Sequence, residues 1–258
     1  MFRLAVAVSL LISAVCAVGQ NPQSSDPFAV SLAQKSVTAL TGGVPVADVT
    51  LSANAISVLG SDGETGTATL SAKGISGVDL SLSAWTRSDI RNASNGVPAG
   101  EWIKNGGIPV AYATHNGWTD AVWFFPALSS LTQTANTGYA FKYIGQEQRS
   151  GTTVQHIRVF QLYPDASNMF QASRMSAMDF YLHAISSLPV ATAFKVHPDR
   201  DMNTDIPVEI RFGSYQVVSE IQVPFHTQRM LNGNVVLDLT VTNAVINSGL
   251  SDSQFGLQ

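Results

Sequence analysis

The side chains able to do covalent or metal chemistry are few and lie far apart. The five histidines, His115, His156, His183, His197 and His226, fall in different segments. None has a second ligand at the helical spacing that His-based zinc sites use. The nearest arrangement, His197-Pro198-Asp199-Arg200-Asp201, reads as a charged, solvated turn. Ser94-Asn95-Gly96 and Ser150-Gly151 lack the Gly-x-Ser-x-Gly elbow of serine hydrolases. Asn105-Gly106-Gly107 does not lead from a strand into a helix, so it is a hairpin turn and not a phosphate cradle. Asn92-Ala93-Ser94 fits the glycosylation triplet but reads as another turn. The single cysteine, Cys16, lies in an apolar amino-terminal run, which removes thiol catalysis and thiolate metal sites. These residues point to a protein that is not an enzyme, with no catalytic residues, no metal site and no cofactor.

Apolar side chains are the remaining candidates for function. Trp118, Trp123, Phe124 and Phe125 form the densest aromatic cluster of the chain. Leu80, Leu82, Phe141, Val208, Ile210, Phe212, Leu237 and Leu239 fall at alternate positions of strand-like runs, so each set shares one face of a sheet. Together they are the expected lining of an apolar cavity. The alternative is ordinary core packing, because periodicity does not reveal whether the space between elements is filled.

The elements that must position them are mostly strands. Val235, Leu237, Leu239 and Val241 alternate with Asp238, Thr240 and Thr242, and Asn232-Gly233-Asn234 tolerates positive φ, so residues 223–230 and 235–247 pair as a hairpin. The same grammar recurs over 46–55, 67–73, 78–90, 99–103, 108–113, 139–147, 152–162, 177–183, 190–197 and 206–216, about a dozen strands. Asp26-Pro27 opens a helix with an apolar stripe through Val30, Leu32, Ala33, Val37 and Leu40, and Gly42-Gly43 ends it. Residues 118–128 lose the period of two and are helical or irregular, with a turn or short helix near Pro126. Residues 165–175 read as a loop. No linker long enough to divide the chain is present, so residues 26–258 form a single domain.

Residues 1–19 have the form of a secretory signal: Arg3, an apolar core over 4–15, and Ala17-Val18-Gly19 before Gln20. Residues 20–25 follow as a flexible segment. The expected location is the periplasm or outside the cell, and Ser13-Ala14-Val15 is a poor lipidation motif for Cys16. Charged residues are 12% of the chain and the net charge is -4. With no basic patch to neutralise phosphates, nucleic acid is not a partner.

Two C-terminal segments carry a family resemblance. Residues 215–224, with Val223-Pro224 starting a strand, and Leu237-Asp238-Leu239-Thr240-Val241 followed by Asn247, Leu250 and Phe255 look like the last strands and the Asn-x-x-Leu-x-x-x-x-Phe tail of the bacterial lipoprotein-carrier superfamily of the LolA, LolB and RseB type. Phe180-Tyr181 and Leu188-Pro189 resemble its strand and turn two hairpins earlier. The match covers roughly 177–257, and the chain is longer than the carriers, chiefly through 92–134. The resemblance implies a mainly β (α+β) fold: a strongly curved antiparallel half-barrel of about 11–12 strands, with the N-terminal helix and central helices covering its concave face. It also implies a non-enzymatic lipid- or lipoprotein-binding protein holding acyl chains in an apolar cavity. Its partners would be a lipid or an acylated protein, with peripheral membrane contact and an envelope protein as further partners. The competing expectation is an envelope interaction or sensor module on the same fold, without a ligand cavity.

Overall fold

The structure, a computed structural model, describes residues 24–59, 62–74, 77–82, 87–94, 97–104, 106–162 and 169–256. The expected signal peptide, Cys16, Ser61, Asn95-Gly96 and Asn105 lie outside them. Helix α1 (Pro27–Thr41) begins where the sequence places it: the Asp26 carboxylate accepts from the Phe28 amide at 2.8 Å, and Pro27 occupies the first turn. It ends at Gly42, whose φ of 59° is the left-handed conformation of a helix C-cap. Ala29, Ala33 and Leu40 form its buried stripe.

The described residues form thirteen strands in one antiparallel sheet. They are β1 (Asp48–Leu59), β2 (Asp62–Lys73), β3 (Gly77–Leu82), β4 (Arg87–Ser94), β5 (Val97–Ile103) and β6 (Val110–Ala111), then β7 (Tyr139–Arg149), β8 (Thr152–Gln161), β9 (Met178–His183), β10 (Pro189–Val196), β11 (Ile206–Val218), β12 (Ile221–Leu231) and β13 (Asn234–Ile246). The spatial order is β6-β5-β4-β3-β2-β1-β13-β12-β11-β10-β9-β8-β7, an open sheet with β6 and β7 at its edges. This is the expected curved half-barrel. Register shifts at Ser52/Ala53, Tyr143/Gly145 and Arg229/Met230 mark irregularities of the kind that bend a sheet. The Asn232-Gly233 turn has φ of 49° and 81°, as its residues require.

This order dictates what covers the concave face. The chain meanders from the central β1 out to the β6 edge, must then reach the opposite edge at β7, and meanders back to β13 beside β1. Residues 112–138 therefore cross the sheet, and they cross on the side that α1 also covers.

The expected dozen strands become thirteen among the described residues, because the run over 78–90 is divided between β3 and β4. Three expectations need correction. Asp62, Gly63 and Glu64, expected in a turn, belong to β2. Residues 169–175 form a short helix, α2 (Met169–Met175), not a loop. The central crossing contains no α-helix, only 3-10 turns over Thr114–Gly117, Pro126–Leu128 and Ser130–Thr132. Pro126 and the Ser129 cap, whose hydroxyl bonds the Pro126 carbonyl and accepts from the Leu131 amide, favour separate tight turns over one continuous helix.

Candidate functional site

The concave face is built by alternation. Met178, Phe180 and Leu182 on β9, Phe194 on β10, Val208, Ile210 and Phe212 on β11, and Leu237, Leu239 and Val241 on β13 are buried. Residues 119–131 lie over them as a cap buried along its whole length. Trp123, Phe124, Phe125, Phe141, Val208, Ile210, Phe212, Leu237 and Leu239 all belong to one contiguous apolar cluster that α1 joins through Ala29, Ala33 and Leu40. The structure thus brings these candidates together. Trp118 stands apart at the start of the cap, half-buried, with its carbonyl accepting from Gln161 at 3.2 Å. The side chains of Leu80 and Leu82, on β3, lie outside the described residues.

Inside the cap, Trp123 and Phe124 meet edge to face at 5.6 Å, and the Arg229 guanidinium lies 5.1 Å from the Trp123 ring centroid. Asp120 ties the cap's ends together: its Oδ2 accepts from the Ser130 amide at 2.9 Å and the Ser130 hydroxyl at 2.8 Å. Burial pushes the Asp120 carboxyl up to about 6 against the pull of those two donors. Burial, and then the Asp120 charge, push Tyr139 up to about 12. The alternation argument could not find Asp120, because a lone acid in an aperiodic run carries no signal of its depth.

A cavity of about 520 Å³ opens at the seam between the C-terminal end of α1 and the cap, walled by Val37, Val44, Val46, Ala127 and Leu128 together with Thr41 and Gln133. Two further cavities, of about 620 and 530 Å³, lie over β8–β12 and over β7–β11. Of the sequence candidates, Val208 lines the larger and Phe212 the smaller of these.

The charged loop after β10 is more ordered than a solvated turn. His197 is buried, its Nε2 lies 3.0 Å from Asp205 Oδ1, and its backbone exchanges hydrogen bonds with the Asn116 side chain. Burial lowers the His197 pKa. Lys195, followed by Arg174 and His197, holds Asp205 down to about 2 against its partial burial. Asp201 does make turn bonds, to the Asn203 amide and the Thr204 hydroxyl. Among the described residues no group of three or more His, Cys, Asp or Glu side chains is placed to hold a metal ion.

The tail motif seen in the sequence has a structural job. Asn247 accepts from the Ala47 amide and donates to the Pro45 carbonyl. Residues 248–250 supply three amides and the Ser248 hydroxyl to the buried Asp48 carboxylate. Burial pushes Asp48 up, but these donors outweigh it and its pKa lies below the usual carboxylate value. Phe255 is buried at the end of this tail.

No protein-family model and no curated protein matches the sequence. Solved structures do match the fold. An outer membrane lipoprotein-sorting protein domain from Vibrio parahaemolyticus superposes with a TM-score of 0.58 at 12% identity, over 88% of this chain and 96% of that one. A DUF1329 family protein from Desulfovibrio piger gives 0.58 at 10% identity, over 90% and 98%. A LolA superfamily protein from Nitrosomonas europaea gives 0.55 at 9% identity, over 89% and 97%. At these identities the likeness establishes the fold, which is LolA-like.

Proposed function

We propose that this LolA-like chain is an exported, non-enzymatic protein that holds acyl chains of a lipid or lipoprotein against the concave face of its half-barrel, under the 119–131 cap. One observation carries the reading. The concave face is a continuous hydrocarbon surface, its cover is a set of 3-10 turns and not a long helix, and a largely apolar cavity opens at the seam between that cover and α1. Burial of hydrocarbon supplies the affinity, at about 0.8 kcal/mol per methylene. No charged contact is needed. The cap carries its own hydrogen bonds through Asp120, Ser129 and Ser130, so it can shift as a unit without breaking sheet pairing. The sorting and LolA-superfamily descriptions of the matching structures support this choice of ligand.

The test is uptake by the chain lacking residues 1–19. After incubation with phospholipid vesicles and re-isolation, native mass spectrometry should show bound fatty acid or phospholipid, and the intrinsic tryptophan fluorescence, to which Trp123 of the cap contributes, should shift as the cap moves. Protein returning without bound acyl chains would overturn the reading. The second reading, an envelope interaction or sensor module, is favoured by how completely Phe124, Phe125, Phe141 and Ile210 already fill the described concave face. That module would show no uptake.

A further inference from the structure

The opposite face of the sheet carries a second site. Arg158, Asp179, Ala193, Glu209 and Met230 are successive partners across β8, β9, β10, β11 and β12, so they form one row. Each alternates with a core residue on its strand, Ile157, Phe180, Phe194 or Val208 for the first four, and the row therefore points away from α1 and the cap. The next row places Tyr181, Ala191 and Arg211 side by side. In the row of Arg158 and Glu209, strand β10 thus presents only the small Ala193 between neighbours with long side chains, with Lys195 two residues further on. The result is a trough over β10, the cavity of about 620 Å³, within the range of about 300–1,000 Å³ typical of small-molecule sites.

Its chemistry has two parts. The floor is apolar, with Phe160, Ala177, Ala193, Pro207 and Met230. The rim is cationic: Arg158, Arg174, Lys195 and Arg211 line the cavity against Asp179 and Glu209. Every rim carboxylate is already shared between bases. Asp179 takes Arg158 and His156, Glu209 takes Arg149 and Arg211, and Asp205, behind the rim, takes Arg174, Lys195 and His197. Even counting Asp205, the lining cations exceed the carboxylates, in a chain whose net charge is negative.

We propose that this outer trough binds a single-chain amphiphile with an anionic head, the head on Lys195 and the rim guanidiniums and the hydrocarbon on the Ala193 floor. The proposal does not rest on the concave reading, because the two sites lie on opposite faces of the sheet. Dodecyl phosphate serves as the probe, titrated calorimetrically into the chain lacking residues 1–19. Binding should weaken about tenfold or more in Lys195→Glu, which reverses a charge at the rim, since hydrogen bonds to charged groups are the strong ones. It should weaken similarly in Ala193→Trp, which fills the floor. Lys195 is 54% exposed, so its replacement leaves the core intact should Ala193→Trp fail to fold. Acyl uptake from neutral vesicles by the concave face should be unchanged in both variants. Dodecyltrimethylammonium should not compete. Co-sedimentation with phosphatidylglycerol vesicles that is lost in Lys195→Glu would identify the source as a bilayer headgroup, and binding of the monomeric probe without co-sedimentation would identify a free amphiphile. Absence of dodecyl phosphate binding, equal affinity in both variants, or equal binding of the alkylammonium would overturn the proposal.

Discussion

Two buried carboxylates set opposite pH dependences. Asp120 has a folded pKa raised to about 6, above the unfolded value of about 3.9. The folded state therefore binds its proton more tightly, and stability falls as pH rises from about 4 to about 6. Asp48 is depressed, so its contribution is present above the unfolded value and is lost as pH falls through the folded one. The cap should therefore be held best below about pH 4 and less well at neutral pH, while the junction of β1 with the tail weakens only in acid. Asp120→Asn keeps an oxygen for the Ser130 donors and removes the charge. It should raise stability at pH 7.5 by about 1–3 kcal/mol and flatten the dependence between about pH 4 and 6. Urea unfolding at pH 4.5 and 7.5 measures both, and an unchanged slope would show that Asp120 ionises at no cost.

Among the elements, the cap and α1 are held in different ways. The cap depends on side-chain burial, because its 3-10 turns offer few backbone hydrogen bonds and poorer geometry. Phe124→Ala should cost about 3–5 kcal/mol, and hydrogen exchange should then open residues 119–131 before the sheet. Helix α1 is anchored at its start twice over. The Asp26 side chain caps it, while the Asp26 amide donates to the Phe141 carbonyl on edge strand β7 at 2.8 Å. Asp26→Ala loses the first bond and retains the second, so the expected loss is only about 1 kcal/mol, read from the thermal midpoint. Most of this was legible: Asp26-Pro27, Gly42-Gly43 and the strand alternation all say where elements begin and which face is apolar. The aperiodic stretch through Trp118 and Phe125 was legible as an interruption and not as a set of 3-10 turns, since short turns carry no repeat to detect.

For the molecule as a whole, the junction of β1 with β13 decides whether the sheet is continuous. Nearly two hundred residues of chain separate Val49 from its partner Ile246. The tail locks this junction through Asn247, the donors to Asp48, and Lys73, which reaches the Leu250 carbonyl and Asp252. Deleting residues 248–258 leaves Asp48 buried without those donors and removes Phe255. The expected loss is on the order of 3 kcal/mol, with β1 and β13 losing amide protection first. Unchanged protection there would mean that sheet pairing alone holds the junction.

By itself, the sequence determined the mainly β class, the positions of most strands, the capped first helix and the C-terminal tail, because each is written in local periodicity or short-range capping. Tertiary structure alone decided which strands neighbour one another, that the edge-to-edge crossing lays Trp123 to Phe125 on the concave face, that Asp120 and His197 are buried, and that Ala193 leaves a trough between charged neighbours. Each of these depends on residues far apart in the chain meeting in space, and alternation along one strand holds no record of what stands on the next.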